Sequence, residues 1–111
     1  IIGKGKALEL LTTGRTISVD EAHQIGLVNH VFDEDNFFEK VIEFARQFVP
    51  PAKASKAVGL IKRSVQTGLE LPLAEALAVE RELLQQLFES DDAHEGLEAY
   101  SKKRQAQFKG K

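Results

Sequence analysis

Residues 37–49, Phe37-Phe38-Glu39-Lys40-Val41-Ile42-Glu43-Phe44-Ala45-Arg46-Gln47-Phe48-Val49, decide the fold class. Phe37, Phe38, Val41, Ile42, Ala45, Phe48 and Val49 return at three- and four-residue steps, which lays a broad apolar stripe along one side of a helix. Ahead of it, Asp33-Glu34-Asp35-Asn36 sets acids and cap residues where a helix begins, and Pro50-Pro51 ends it. The same period continues downstream. Residues 53–67 predict another helix, with Ala54, Ala57, Val58, Ile61 and Val65 on one face and Gly68 as its stop. Pro72 suits a first helical position. The helix it opens should run to about Glu89, with Leu73, Ala76, Leu77, Leu83, Leu84, Leu87 and Phe88 directed inward. Ser90-Asp91-Asp92 caps a last helix expected to reach about Gln105.

Upstream, residues 5–13 predict a short helix stopped by Thr12-Thr13-Gly14. Ser18 and Glu21 have capping-box spacing, with Ile17 and Ala22 placed as a hydrophobic staple, and Gly26 closes that brief helix. Leu27-Val28-Asn29-His30-Val31-Phe32 alone has strand composition. A single strand is not stable by itself, so this one must pair outside the chain or stay merely extended. The expectation is a mostly α chain of about six helices with one short extended segment near 27–32.

Composition narrows the function. The chain has 111 residues, 42% apolar and 29% charged, which suits one globular unit. Zero cysteines exclude disulfides, thiolate metal sites and cysteine nucleophiles within it. No apolar run has the length of a membrane span. Zero methionines, with Ile1 at the start, imply a piece of a longer protein. From Lys102 onward there are five cations (Lys102, Lys103, Arg104, Lys109, Lys111) and no acid, whereas residues 1–101 carry 10 cations against 17 acids. A small basic tail on an acidic body does not suit a general nucleic-acid binder. It suits either local contact with a few phosphates or carboxylates, or a solvated helix end.

Chemistry is scarce in the residues themselves. His23, His30 and His94 lack helical ligand spacing, so no metal site is expected. Glu80 interrupts the apolar stripe of the fifth helix, where a buried carboxylate would be an acid or base or, in preference, half of a salt bridge. Ser18 and Ser90 read as caps rather than nucleophiles. Gly3-Lys4-Gly5-Lys6 follows no strand and matches no dinucleotide fingerprint. No catalytic residue emerges. The last helix carries the one pointed arrangement: Ala93, Gly96, Leu97, Tyr100 and either Lys103 or Arg104 share a face. Gly96 inside a helix would mark close approach of another backbone or a ligand. Tyr100 one turn before Lys103 either offers an aromatic plane and a cation to a base and its phosphate, or caps a core edge beside a solvated lysine; spacing alone favours the second.

The series Gly5-Lys6-Ala7-Leu8-Glu9-Leu10-Leu11-Thr12-Thr13-Gly14-Arg15-Thr16-Ile17-Ser18, then Glu21-Ala22, then Gly26-Leu27-Val28-Asn29, resembles the crotonase (enoyl-CoA hydratase/isomerase) superfamily. Later stretches resemble it in the same order: Ala54-Ser55-Lys56-Ala57 through Ile61-Lys62, Leu73-Ala74-Glu75-Ala76-Leu77 with Glu80, and Ser90-Asp91-Asp92-Ala93-His94-Glu95-Gly96 followed by Lys103-Arg104 and Phe108-Lys109-Gly110. The resemblance covers essentially the whole chain. It implies the C-terminal region of such a protein, with residues 1–32 ending the spiral core and 33–111 forming the helical oligomerisation and CoA-covering region. The family's catalytic glutamates and oxyanion hole would lie upstream, so no residue here inherits a catalytic role and the isolated chain is expected to be inactive.

The resemblance also implies partners and site residues. The full protein would act on acyl-CoA thioesters, with hydration of a 2-enoyl-CoA in fatty-acid metabolism as the expected reaction; isomerase, decarboxylase and thioester hydrolase activities stay open. It would form a trimer or a dimer of trimers. Coenzyme A would enter as part of the substrate, with no prosthetic group and no nucleic acid. Tyr100 matches the family's aromatic position near the CoA adenine or pantetheine, and Lys103 matches its lysine that meets a CoA phosphate, so the resemblance favours the CoA-contact role for both over the role that spacing alone favours. Leu84 and Phe88 match apolar positions bordering the far end of the acyl pocket, although core packing stays the preferred role for both. The cytoplasm is the default location, unless an organelle signal stood upstream. The alternative from a different class is a stand-alone helical assembly module without catalysis.

Overall fold

The computed structural model describes residues 1–111 and contains six α-helices: α1 Lys4–Thr13, α2 Val19–Gln24, α3 Phe37–Arg46, α4 Ser55–Gly68, α5 Leu73–Phe88 and α6 Asp91–Ser101. The chain separates into two compact units, Ile1–Lys40 and Val41–Lys111.

In the first unit, Gly14 adopts a left-handed conformation (φ 63) and returns its N–H to the Leu10 carbonyl, closing α1. Arg15 then reaches both oxygens of Glu21, at 3.0 and 2.5 Å, which ties the end of α1 to α2. Glu21 is therefore only half of a capping box. Its N–H donates to Ser18 Oγ at 3.1 Å, but its carboxylate serves Arg15. Ala22 is the buried residue of this helix. After Gly26 (φ 75), the N–H groups of Leu27 and Val28 both donate to the Ala22 carbonyl, and residues 27–32 form no strand. Without a ladder partner, the segment begins by placing the backbone donors of Leu27 and Val28 on the helix before it. Lys40 pairs with Asp33 at 3.0 Å across the start of α3.

In the second unit, α4 and α5 pack on each other through the short connection 69–72, and α5 meets α6. Two helices stop earlier than their apolar period predicts. Helix α3 ends at Arg46, because Gln47, Phe48 and Val49 bond back three residues to Phe44, Ala45 and Arg46. That tightened last turn fits the bias that Pro50 places on the residue before it. Helix α6 ends at Ser101 rather than near Gln105. By contrast, α4 includes Gly68 and is capped at Leu69. A Cβ on Gly68 would lie 3.6 Å from Ala76 Cβ, so the glycine is compatible with the close α4–α5 turn without being required by it.

The interior is small. Ala22, Leu83 and Ala99 are the buried apolar residues. Leu73, Leu77, Leu84 and Phe88, expected inward along α5, are instead exposed. The helical period assigned them correctly to one face, but α4 alone is too narrow to cover that face. Apolar side chains elsewhere, including Leu11, Phe38 and Leu69, are likewise open.

Candidate functional site

The sequence placed Tyr100 and Lys103 one turn apart on a helix. The structure ends that helix between them. Lys102 caps α6, and Lys103 takes a left-handed conformation with φ 52. Its N–H donates to the Tyr100 carbonyl at 3.2 Å, while the Arg104 N–H donates to the Ala99 carbonyl at 3.0 Å. This pair of bonds is the usual ending of a helix at a glycine, yet a lysine occupies the left-handed position. Tyr100 is 87% exposed, which places it at no core edge.

The cations around Lys103 are committed. Lys102 Nζ pairs with Glu98 one turn back. The Arg104 fork donates to both oxygens of Glu95, at 2.6 and 2.8 Å, and to Glu98 at 3.0 Å. Two-point contact of this kind is what a planar guanidinium does and an ammonium cannot. The Arg104 hydrogen bonds, followed by the Gln107 N–H, hold Glu95 well below the usual carboxylate range, at about 2. Glu98 is lowered as well, first by Lys102, and Arg104 is raised by Glu95. Lys103 alone of these three consecutive cations makes no ion pair. Neither Lys103 nor Arg104 continues the face of α6 as the spacing suggested.

Beyond this turn the chain folds back along α6. Gln107 N–H donates to Glu95 Oε1 at 2.7 Å. Lys109 and Gly110 N–H donate to Asp92 Oδ1 and Oδ2, each at 2.7 Å, and Asp92 N–H donates to the Lys111 carbonyl at 3.0 Å. Asp92 is only 3% exposed. The Phe108 ring lies over Gly96, where a Cβ would meet it at 3.6 Å. Gly96 thus faces a side chain of its own tail. From the sequence alone Asp92 reads only as part of a cap. Its tail partners are 17 and 18 residues away, beyond any helical period. Ser90 is the cap, accepting from the Ala93 N–H at 3.2 Å.

Leu84 and Phe88 border two different grooves. Leu84 lines one of about 220 Å³ between α4 and α5, with Leu60, Ile61, Val65 and Leu83. Phe88 lines another of about 310 Å³, with Ala57, Leu97 and Phe108. Tyr100 and Lys103 line neither groove. Glu80 is exposed at the rim of the first groove and makes no ion pair, so it is neither a buried acid nor half of a salt bridge. No group of three or more His, Asp or Glu side chains could hold a metal ion. No helix is long and apolar enough to cross a membrane.

Comparison with known proteins gives the fold and the family. A crystal structure of an enoyl-CoA hydratase from Geobacillus kaustophilus HTA426 superposes with a TM-score of 0.92 at 44% identity, over 99% of this chain and 41% of that one. A probable enoyl-CoA hydratase of Rhizobium meliloti is 39% identical over 97% of this chain and 41% of its own length. The mitochondrial enoyl-CoA hydratase of Pongo abelii is 34% identical over 97% of this chain and 37% of its own. The chain thus spans about two fifths of the length of these relatives. The enoyl-CoA hydratase/isomerase family model matches residues 1–111 from end to end, and the chain belongs to that family.

Proposed function

We propose that this chain is the C-terminal, CoA-covering part of an enzyme acting on acyl-CoA thioesters, with hydration of a 2-enoyl-CoA as its reaction. Residues 1–32 complete the core that carries the chemistry, and residues 33–111 form the helical region that covers CoA and joins subunits. The supporting observation is Lys103. It is an ammonium without an ion pair, set on a left-handed turn beside an exposed Tyr100, while Lys102 and Arg104 are neutralised by α6 carboxylates. A compact point charge suits a phosphate, and an exposed ring suits an adenine face. The hydratase names of the relatives support the reaction class.

The chain supplies binding and no acid, base or oxyanion donor, so alone it leaves the reaction uncatalysed. Leu84 and Phe88 border the acyl end of the substrate in this reading. The uncovered apolar side chains, Leu69 and Leu73 among them, support assembly into a trimer or a dimer of trimers. The same side chains favour the second reading, a stand-alone assembly module without catalysis. The intact mass of the natural protein separates the two: a chain more than twice this length supports the enzyme, and 12.3 kDa supports the module. In the full-length enzyme, Lys103→Ala should raise KM for the acyl-CoA more than it lowers kcat, because a remote phosphate contact binds ground state and transition state alike. Unchanged kinetics for Lys103→Ala and Tyr100→Ala together would remove the site.

A further inference from the structure

We propose that Glu95 and Arg104 are positioning residues for the Lys103 ammonium, acting through the strap that the chain forms along α6. The inference rests on the reading of Lys103 as a phosphate contact. A lysine at φ 52 sits in a conformation that L side chains disfavour, so something must hold the turn. The backbone bonds of Lys103 and Arg104 to Tyr100 and Ala99 define it. The residues beyond it lock it. Arg104 is fixed on both Glu95 oxygens, and the same Glu95 Oε1 takes the Gln107 N–H. Asp92 then takes the N–H groups of Lys109 and Gly110.

The arrangement does two things to Lys103. It fixes the direction in which the side chain leaves the turn. It also occupies Glu95, and with Lys102 it occupies Glu98, the carboxylates on the adjoining turns of α6 that could otherwise capture the ammonium. If Arg104 is loosened, the turn has no reason to keep a lysine left-handed, and a carboxylate is released to compete with the external phosphate. Apparent affinity falls with the fraction of molecules that hold the competent turn.

The test measures the Kd of free coenzyme A by calorimetry, using the full-length protein in its natural assembly. Four proteins complete a cycle: wild type, Glu95→Gln, Lys103→Ala and the double variant. Lys103→Ala should weaken binding about fivefold to tenfold, and Glu95→Gln about threefold. In the Lys103→Ala background, Glu95→Gln should change Kd by less than about 1.5-fold, because the group it positions is gone. A loss from Glu95→Gln that is equal in both backgrounds, or absent in the wild-type background, overturns the positioning role and leaves the phosphate contact standing. No effect from Lys103→Ala overturns the underlying reading instead. Should Glu95→Gln not fold, Arg104→Lys serves in its place, since it keeps the charge and loses the two-point fork. It must show the same dependence on Lys103, or the inference fails.

Discussion

Asp92→Asn is the sharpest probe of the strap along α6. Asp92 is buried and its two oxygens accept two backbone donors, Lys109 N–H and Gly110 N–H, each at 2.7 Å. Asparagine keeps one acceptor of nearly the same shape. Its other atom becomes an NH₂ facing an N–H, so one bond is kept without its charge and one is replaced by a donor–donor clash. A hydrogen bond to a charged group contributes about 1.5–3 kcal/mol. A buried donor left unpaired costs about 1–3 kcal/mol, but the tail is terminal and can peel away to water, so docking energy caps the loss. The expected destabilisation of the docked tail is about 2 kcal/mol, or roughly a 30-fold change in the docking equilibrium. Amide hydrogen exchange in the full-length protein reads this directly. Lys109 and Gly110 should exchange about 30-fold faster, Gln107 should follow in part, and the α4–α5 amides should keep their protection. Equal exchange at 109 and 110 in both proteins would refute the assignment of Asp92 as the clamp.

Other expectations concern single positions. Gly110 has φ 81, and a Cβ there would lie 2.6 Å from Ser55 Oγ, so Gly110→Ala should cost about 1–2 kcal/mol in denaturant unfolding. Gly96→Ala should do the opposite and stabilise α6 by up to about 1 kcal/mol, because its Cβ would meet Phe108 at an ordinary 3.6 Å; a loss above about 0.5 kcal/mol contradicts the packing described. Lys103→Gly should raise stability by about 1 kcal/mol by relieving a left-handed lysine while weakening coenzyme A binding; a fall in thermal midpoint would show that the turn is unstrained. Glu95 is lowered from the usual 4.5 to about 2, so its contribution to stability is full above pH 4.5 and lost as pH falls toward 2. The difference in thermal midpoint between wild type and Glu95→Gln should therefore shrink over that window; a constant difference would separate Glu95 from the acid limb.

Local physics was legible in the residues. Ser18 and Ser90 do cap helices, because a hydroxyl three residues before an unpaired N–H needs no help from elsewhere in the fold. Gly14 and Gly26 do take positive φ at helix ends. The helical period of 37–46, 55–68 and 73–88 fixes the fold class, and the ordered motifs carried the family. Tertiary structure decided the rest, and it did so where partners are distant in sequence or lie outside the chain. Asp92 could be read only as a cap residue, since the N–H groups that it binds arrive after a reversal that no periodicity encodes. The end of α6 at Ser101 depends on Arg104 finding Glu95, a pairing nine residues apart that a continuous helix would not make. The amphipathic pattern puts Leu73, Leu77, Leu84 and Phe88 correctly on one face, but the inward direction expected of them fails, since all four are exposed. A sequence specifies which side of a helix is apolar; burial requires a second surface, and α4 supplies only part of it.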